Sequence, residues 1–140
     1  MNSKFYLLGI ALVCMAIFFP HLSVVEVNIM EARNFITARE MLESGNWIHT
    51  TMNLESRYEK PPLPTWLTAF SAAVFGLKNL FGLRLPAVLS AVFLIFTFYL
   101  LGIQVLKDKK HSFIGALVLA TSFYIVFSGR NGQWDIFVHA

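Results

Sequence analysis

The chain has 140 residues, 56% of them hydrophobic, 14% charged and 14 of them Phe, with a formal net charge of +3. That balance leaves too little polar surface for a soluble domain of this size, and so small and scattered a positive charge argues against nucleic acid as a partner. A single cysteine, Cys14, excludes a disulfide within the chain, and His21, His49, His111 and His139 show no metal-ligand spacing. An all-α membrane protein is expected.

Residues 5–25 are uncharged and long enough for a bilayer, which takes about 20 residues per span; Pro20 and His21 mark the exit. Lys4 before an apolar core resembles a signal peptide, but no small-x-small cleavage site follows, so a retained anchor is predicted with Cys14 buried and inert. Residues 26–60 then form a structured loop. Asn28 followed by Glu31 has the spacing of a helix cap with its reciprocal acid. Ile29, Met30, Phe35, Ile36, Met41 and Leu42 recur with loose helical period, and Gly45-Asn46 supplies a stop. The spacing predicts about four turns of helix lying in the interface, apolar side towards the lipid. Arg39 and Glu43, four apart, suit an exposed pair. Trp47 suits the headgroup level, and residues 46–57 read as short extended or turn-rich chain.

Tyr58-Glu59-Lys60-Pro61-Pro62 is the most informative string. Lys60 is biased to extended backbone by Pro61, and the prolines suit the first turn of a following helix. Glu59 and Lys60 therefore sit at a helix N-terminus, where the dipole draws anions. Lys60 either holds a phosphate or snorkels to lipid headgroups, and Glu59 either shares that site or caps the helix. Arg33 has the same two readings, substrate or lipid phosphate. Residues 61–77 are apolar but lose their first turn to prolines at 61, 62 and 64, so they lie along the outer surface or dip in and return. Arg84, two residues before Pro86, reads locally as a headgroup anchor.

Residues 85–106 form the second expected span and 112–129 a third, slightly short one. Between them Lys107, Lys109 and Lys110, with Asp108 and His111, form the densest basic cluster, which the positive-inside rule assigns to the cytoplasm together with Lys4. Parity then puts residues 26–60 outside, and the third span carries Arg130 and Asp135 to that same side. Asp135 opens a further apolar stretch and is either solvated or functional. Trp66, Trp134 and Tyr124 are read as interface or packing aromatics.

Taken in order, Glu31-Ala32-Arg33, Ala38-Arg39-Glu40-Met41-Leu42, Ser44-Gly45-Asn46-Trp47, Tyr58-Glu59-Lys60-Pro61-Pro62-Leu63, Trp66-Leu67, Arg84-Leu85-Pro86 and Gly129-Arg130 with Asp135 form a combined pattern. It resembles the polytopic GT-C glycosyltransferases of the aminoarabinose-transferase and dolichyl-phosphate-mannose–protein mannosyltransferase type, from about residue 24 to the last. The resemblance implies the N-terminal part of a GT-C fold, with three transmembrane helices and interfacial helices in the first outer loop, whose two outer loops floor the active site. It also implies transfer of a sugar from a polyprenyl-phosphate donor to a lipid A, protein or glycan acceptor on the periplasmic face of a bacterial inner membrane. By the same resemblance Glu31 and Asp135 are the catalytic acids, and Arg33, Tyr58, Glu59, Lys60, Arg84 and Arg130 bind substrate, with membrane lipids around them. No cofactor is expected, and a metal requirement stays open.

Two departures stand out. The family usually places Asp before the acid of E-x-R, and here that position is Met30: either Glu31 or Glu26 takes over, or this branch works differently, or this copy is impaired. Asn34 stands where an aromatic is common. Family members run to several hundred residues, so the chain reads as an N-terminal piece, expected to be inactive alone. Competing readings are a non-catalytic helical membrane subunit or scaffold, and a transporter fragment. A transporter should carry polar or broken helices at midplane depth, and residues 85–106 offer only Ser90, Thr97 and Gln104.

Overall fold

The computed structural model describes residues 3–57 and 60–140. Helix α1 spans Ser3–Phe18, α2 Ile29–Ser44, α3 Pro62–Phe75, α4 Leu80–Leu106, α5 Lys109–Thr121, α6 Phe123–Arg130 and α7 Asp135–His139. A small antiparallel hairpin, β1 (Thr51–Met52) and β2 (Glu55–Ser56), occupies the stretch expected to be extended or turn-rich, pairing Thr51 with Ser56 and Met52 with Glu55.

Among the described residues α4 is the one helix that is by itself long and apolar enough to cross a membrane. Its 27 residues reach about 40 Å at about 1.5 Å each. α5 and α6 reach such a length together but are bent by 59°. The continuous third span expected over residues 112–129 is thus broken at Ser122, whose backbone is extended and whose N–H and hydroxyl both go to the Leu119 carbonyl. That carbonyl can no longer continue the i→i−4 ladder, and the axis turns. α1 is a shorter apolar helix of 16 residues. It buries one stripe, Tyr6, Ile10, Cys14 and Phe18, against Ala87, Val88, Ala91, Ile95 and Tyr99 of α4 and Ala116 and Ala120 of α5. The period of four puts all four α1 side chains on one face, and the small residues let the helices approach closely.

α1 stops at Phe18 rather than near Val25 as expected. Pro20 cannot donate to the ladder and disfavours helix at the residue before it. The carbonyls left open at this end are collected by two arginines. Arg130 donates to Ile17 O at 2.8 Å and Pro20 O at 2.6 Å, and Arg84 donates to Leu22 O. Pro86 sits inside α4 and leaves the Gly82 carbonyl, four residues back, without its helical donor. Ser71 of α3 supplies one, with Oγ 2.5 Å from Gly82 O. The hydroxyl both repairs the helix and fastens α3 to α4.

α2 begins as predicted, with Asn28 Oδ1 accepting from Glu31 N at 2.9 Å, and ends on Gly45 at φ 69°, a left-handed cap that glycine adopts without strain. The face turned into the protein is largely polar, comprising Glu31, Asn34, Thr37, Ala38, Glu40 and Met41, while Ile29 and Met30 are exposed. Ala38 and Met41 pack with Ala69 of α3 at one end of this face, and the polar side chains build the site.

Candidate active site

The site starts from Glu31. Its side chain does not return to its own helix cap, as a reciprocal capping acid would, but turns inwards with zero exposure. Arg84, 1% exposed, donates to both of its oxygens, Nε to Oε1 at 2.6 Å and Nη2 to Oε2 at 2.8 Å. Gly132 N donates to Oε1 at 2.7 Å. Arg84 also donates to Leu22 O and, at 3.5 Å, to Glu26 O. One guanidinium therefore joins the chain after α1, α2 and α4, and through Glu31 it reaches the loop between α6 and α7.

One helical turn further along α2, Asn34 makes a second junction. Its Nδ2 donates to Gly132 O at 2.7 Å and Thr68 Oγ1 at 3.0 Å, and its Oδ1 accepts from Thr65 Oγ1 at 3.0 Å. Thr65 Oγ1 in turn lies 3.4 Å from Trp134 Nε1. The Trp134 ring is nearly buried, with the Arg57 guanidinium 4.7 Å and the Lys60 ammonium 5.8 Å from its centroid, both within cation–π reach. The second loop is thereby laid across α2 and α3, and its Trp134 is a neighbour of Lys60. Asp135 follows directly, exposed, as the first residue of α7.

Glu40 holds the hairpin from below. Its carboxylate accepts from Thr51 Oγ1 at 2.6 Å, Asn53 N at 2.7 Å and Leu54 N at 3.3 Å. Burial pushes its pKa upwards, but the bonds from Thr51, Leu54 and Asn53, with the Arg39 charge, outweigh that and hold it below the ordinary carboxylate value. Asn53 and Leu54 both have positive φ, 56° and 66°, the geometry of a tight hairpin turn. The Thr50 hydroxyl donates to the Arg57 carbonyl, which closes the base of the hairpin.

The residues expected at a site fall into two groups. Lys60, Arg33 and Asp135 are exposed and able to meet a ligand. Arg33 has no carboxylate partner among the described residues, only a 3.9 Å approach of Nη1 to Met30 Sδ. The others are committed elsewhere. Glu31, expected as a catalytic acid, has both oxygens engaged, by Arg84 and Gly132, and zero exposure. Arg84, expected at substrate or headgroups, is its buried partner. Arg130 caps α1, while also lining with Arg84 and Asn131 a cleft of about 270 Å³ walled by Leu22, Val25, Phe123, Val126 and Phe127. Glu26, the other candidate for the missing acid, is exposed and contributes its carbonyl. Tyr58 and Glu59 lie outside the described residues. Arg39 and Glu43 form the exposed pair foreseen, at 3.8 Å.

Asn34, Thr65, Thr68, Arg57 and Glu40 were missed. The available signals were the one-turn spacing of Glu31 and Asn34, and of Thr65 and Thr68, which places each polar pair on one helix face. No group of three or more His, Cys, Asp or Glu side chains among the described residues is placed to hold a metal ion.

The sequence pattern of the dolichyl-phosphate-mannose-protein mannosyltransferase family matches residues 59–140, more than half of the chain. The chain belongs to this family. It is similar to the undecaprenyl phosphate-alpha-4-amino-4-deoxy-L-arabinose arabinosyl transferase of Pseudomonas savastanoi pv. phaseolicola, at 37% identity over 106 residues, 76% of the chain and 19% of the relative. The corresponding enzyme of Shewanella sediminis is 33% identical over 111 residues, 74% of the chain and 20% of the relative. The chain thus spans about a fifth of the length of the curated relatives it matches. The crystal structure of ArnT from Cupriavidus metallidurans in the apo state superimposes with a TM-score of 0.77, covering 95% of this chain and 24% of that one at 22% identity. The helical membrane fold of a GT-C transferase is shared on that ground.

Proposed function

We propose that this chain contributes the donor-phosphate site and an acid to a membrane glycosyltransferase that moves a sugar from a polyprenyl-phosphate carrier to a lipid A, protein or glycan acceptor. The observation that carries the reading is the docking of the second loop on the first, which sets Trp134 5.8 Å from the Lys60 ammonium and Asp135 next to it in sequence. The relatives' names, which specify an undecaprenyl phosphate sugar donor, support the carrier class.

The chemistry asks for little else. The bond between the sugar's anomeric carbon and the carrier phosphate breaks, negative charge grows on the departing phosphate, and a new bond forms from the same carbon to the acceptor oxygen. Lys60 and Arg33, both exposed cations, stabilise the departing phosphate. Asp135 orients a hydroxyl acceptor and takes its proton, whereas a phosphate acceptor is already nucleophilic and uses the carboxylate only for position. Tyr58 and Glu59 belong to the same segment by sequence. In this reading the protein is a multi-pass protein of a bacterial inner membrane. α1, α4 and the bent α5–α6 pair cross it, and α2, α3, the hairpin and the second loop face the periplasm, opposite Lys107–Lys110.

The test places Lys60→Ala and Asp135→Asn in the chromosomal gene and follows lipid A and protein glycans by mass spectrometry. The sugar-bearing species should fall about 100-fold, the effect of removing one group that stabilises transition-state charge. Unchanged glycans at unchanged protein level would instead support a non-catalytic scaffold.

A further inference from the structure

We infer that Gly132 is the hinge pin of the second loop, held at both its main-chain groups by α2, and that Glu31, Asn34 and Gly132 are positioning residues for Asp135; this rests on Asp135 being the acid proposed above. Gly132 N donates to Glu31 Oε1 and Gly132 O accepts from Asn34 Nδ2, each at 2.7 Å. The two α2 side chains are three residues apart, one turn, and both have zero exposure. Two short bonds from one rigid helix to the N–H and C=O of a single residue fix where that residue sits and how it is turned. Packing holds the rest of the segment: Trp134 is nearly buried beneath Arg57, and Ile136 enters the core at zero exposure with Phe137 against it. Residues 131–134 belong to no helix or strand, and α7 has only 5 residues, too few to be stable by itself. Asp135, three residues on, takes its place between this grip, with the 3.4 Å contact of Trp134 to Thr65, on one side and the buried Ile136 on the other.

Sterics agree with the bonds. A Cβ on residue 132 would meet Phe35 Cε1, lie 2.6 Å from Phe35 Cζ and 3.4 Å from Glu31 Oε1. A methyl at this position therefore cannot be added unless the half-buried Phe35 ring or the loop itself moves.

The test measures loop order by electron–electron double resonance on the protein in lipid nanodiscs, in a Cys14→Ala background, with no donor or acceptor added, so that it is independent of any transfer. One spin-label pair, at Leu54→Cys and Val138→Cys, links the hairpin to α7. A second pair, at Leu54→Cys and Val105→Cys, links the hairpin to α4 and bypasses the second loop. All three positions are more than three-quarters exposed. Gly132→Ala and Asn34→Leu should each broaden the first distribution to about twice the parent width or more while the second keeps it, since only the loop is released. Adding Phe35→Leu to Gly132→Ala makes room for the methyl and should restore the narrow first distribution. The inference is overturned if either single variant keeps the parent width, if both pairs broaden together, or if Phe35→Leu gives no recovery.

Discussion

Replacing Arg84 with Leu removes a guanidinium that donates to both oxygens of Glu31, at 2.6 and 2.8 Å, and to the carbonyls of Leu22 and Glu26. Glu31 would be left, at zero exposure, with the Gly132 N–H as its one remaining tertiary bond. Breaking a buried pair from one side costs about 3–5 kcal/mol, mostly because the stranded charge cannot reach water. The exposed Arg39–Glu43 pair, at 3.8 Å, contributes about 0–1 kcal/mol by comparison. Arg84→Leu should therefore destabilise the fold by about 4 kcal/mol and Arg39→Leu by less than about 1. The double change Glu31→Leu/Arg84→Leu leaves no stranded charge, only main-chain groups without partners, and should cost less than the two single changes summed, with a coupling of about 2–3 kcal/mol. Steric-trap unfolding in bicelles measures all of these on one scale. If Arg84→Leu costs no more than Arg39→Leu, the pair is not the junction described and the account of Glu31 is wrong.

Ser71→Ala strips the Gly82 carbonyl of its donor and should cost about 1–3 kcal/mol; adding Pro86→Ala gives that carbonyl a helical N–H again and should recover most of the loss in the same unfolding assay. Glu40 makes a pH prediction. Its folded pKa lies below the ordinary carboxylate value, so its contribution to the hairpin is complete above that value and is lost as pH falls through the depressed one. Exchange protection of the Asn53 and Leu54 amides, corrected for intrinsic rate, should decline over that acid range in the parent and be low and flat in Glu40→Gln; an identical decline in both proteins would sink the assignment. Sidedness is checked by an impermeant thiol reagent, which should reach Lys60→Cys and Asp135→Cys from one side of the bilayer and Lys109→Cys from the other.

Much of the helical framework follows from local pattern. The uncharged run before Lys107, the Asn28 cap and the Gly45 stop each act within a few residues of themselves, and each appears where the sequence places it. Local pattern fails where a distant group completes a local defect. Pro20 and Ser122 shorten α1 and break the third span, and the donor that collects the open carbonyls at the end of α1 is Arg130, 110 residues away from the Pro20 carbonyl it holds. Pro86 within α4 is tolerated through Ser71 on another helix. The apolar period of α2 was legible, but the partners of its buried polar side chains were not, because they lie far along the chain, on α3, α4 and the second loop.

Charge and hydropathy along the chain suffice to say that it is a helical membrane protein with a cationic segment next to a run of prolines, since those properties depend on composition and near neighbours. They cannot say which acid is free. Glu31 and Asp135 look alike in one dimension, and folding separates them by sealing the first against Arg84 while leaving the second exposed. A carboxylate's role depends on whether water and ligands can reach it, and access is a property of how separate segments pack.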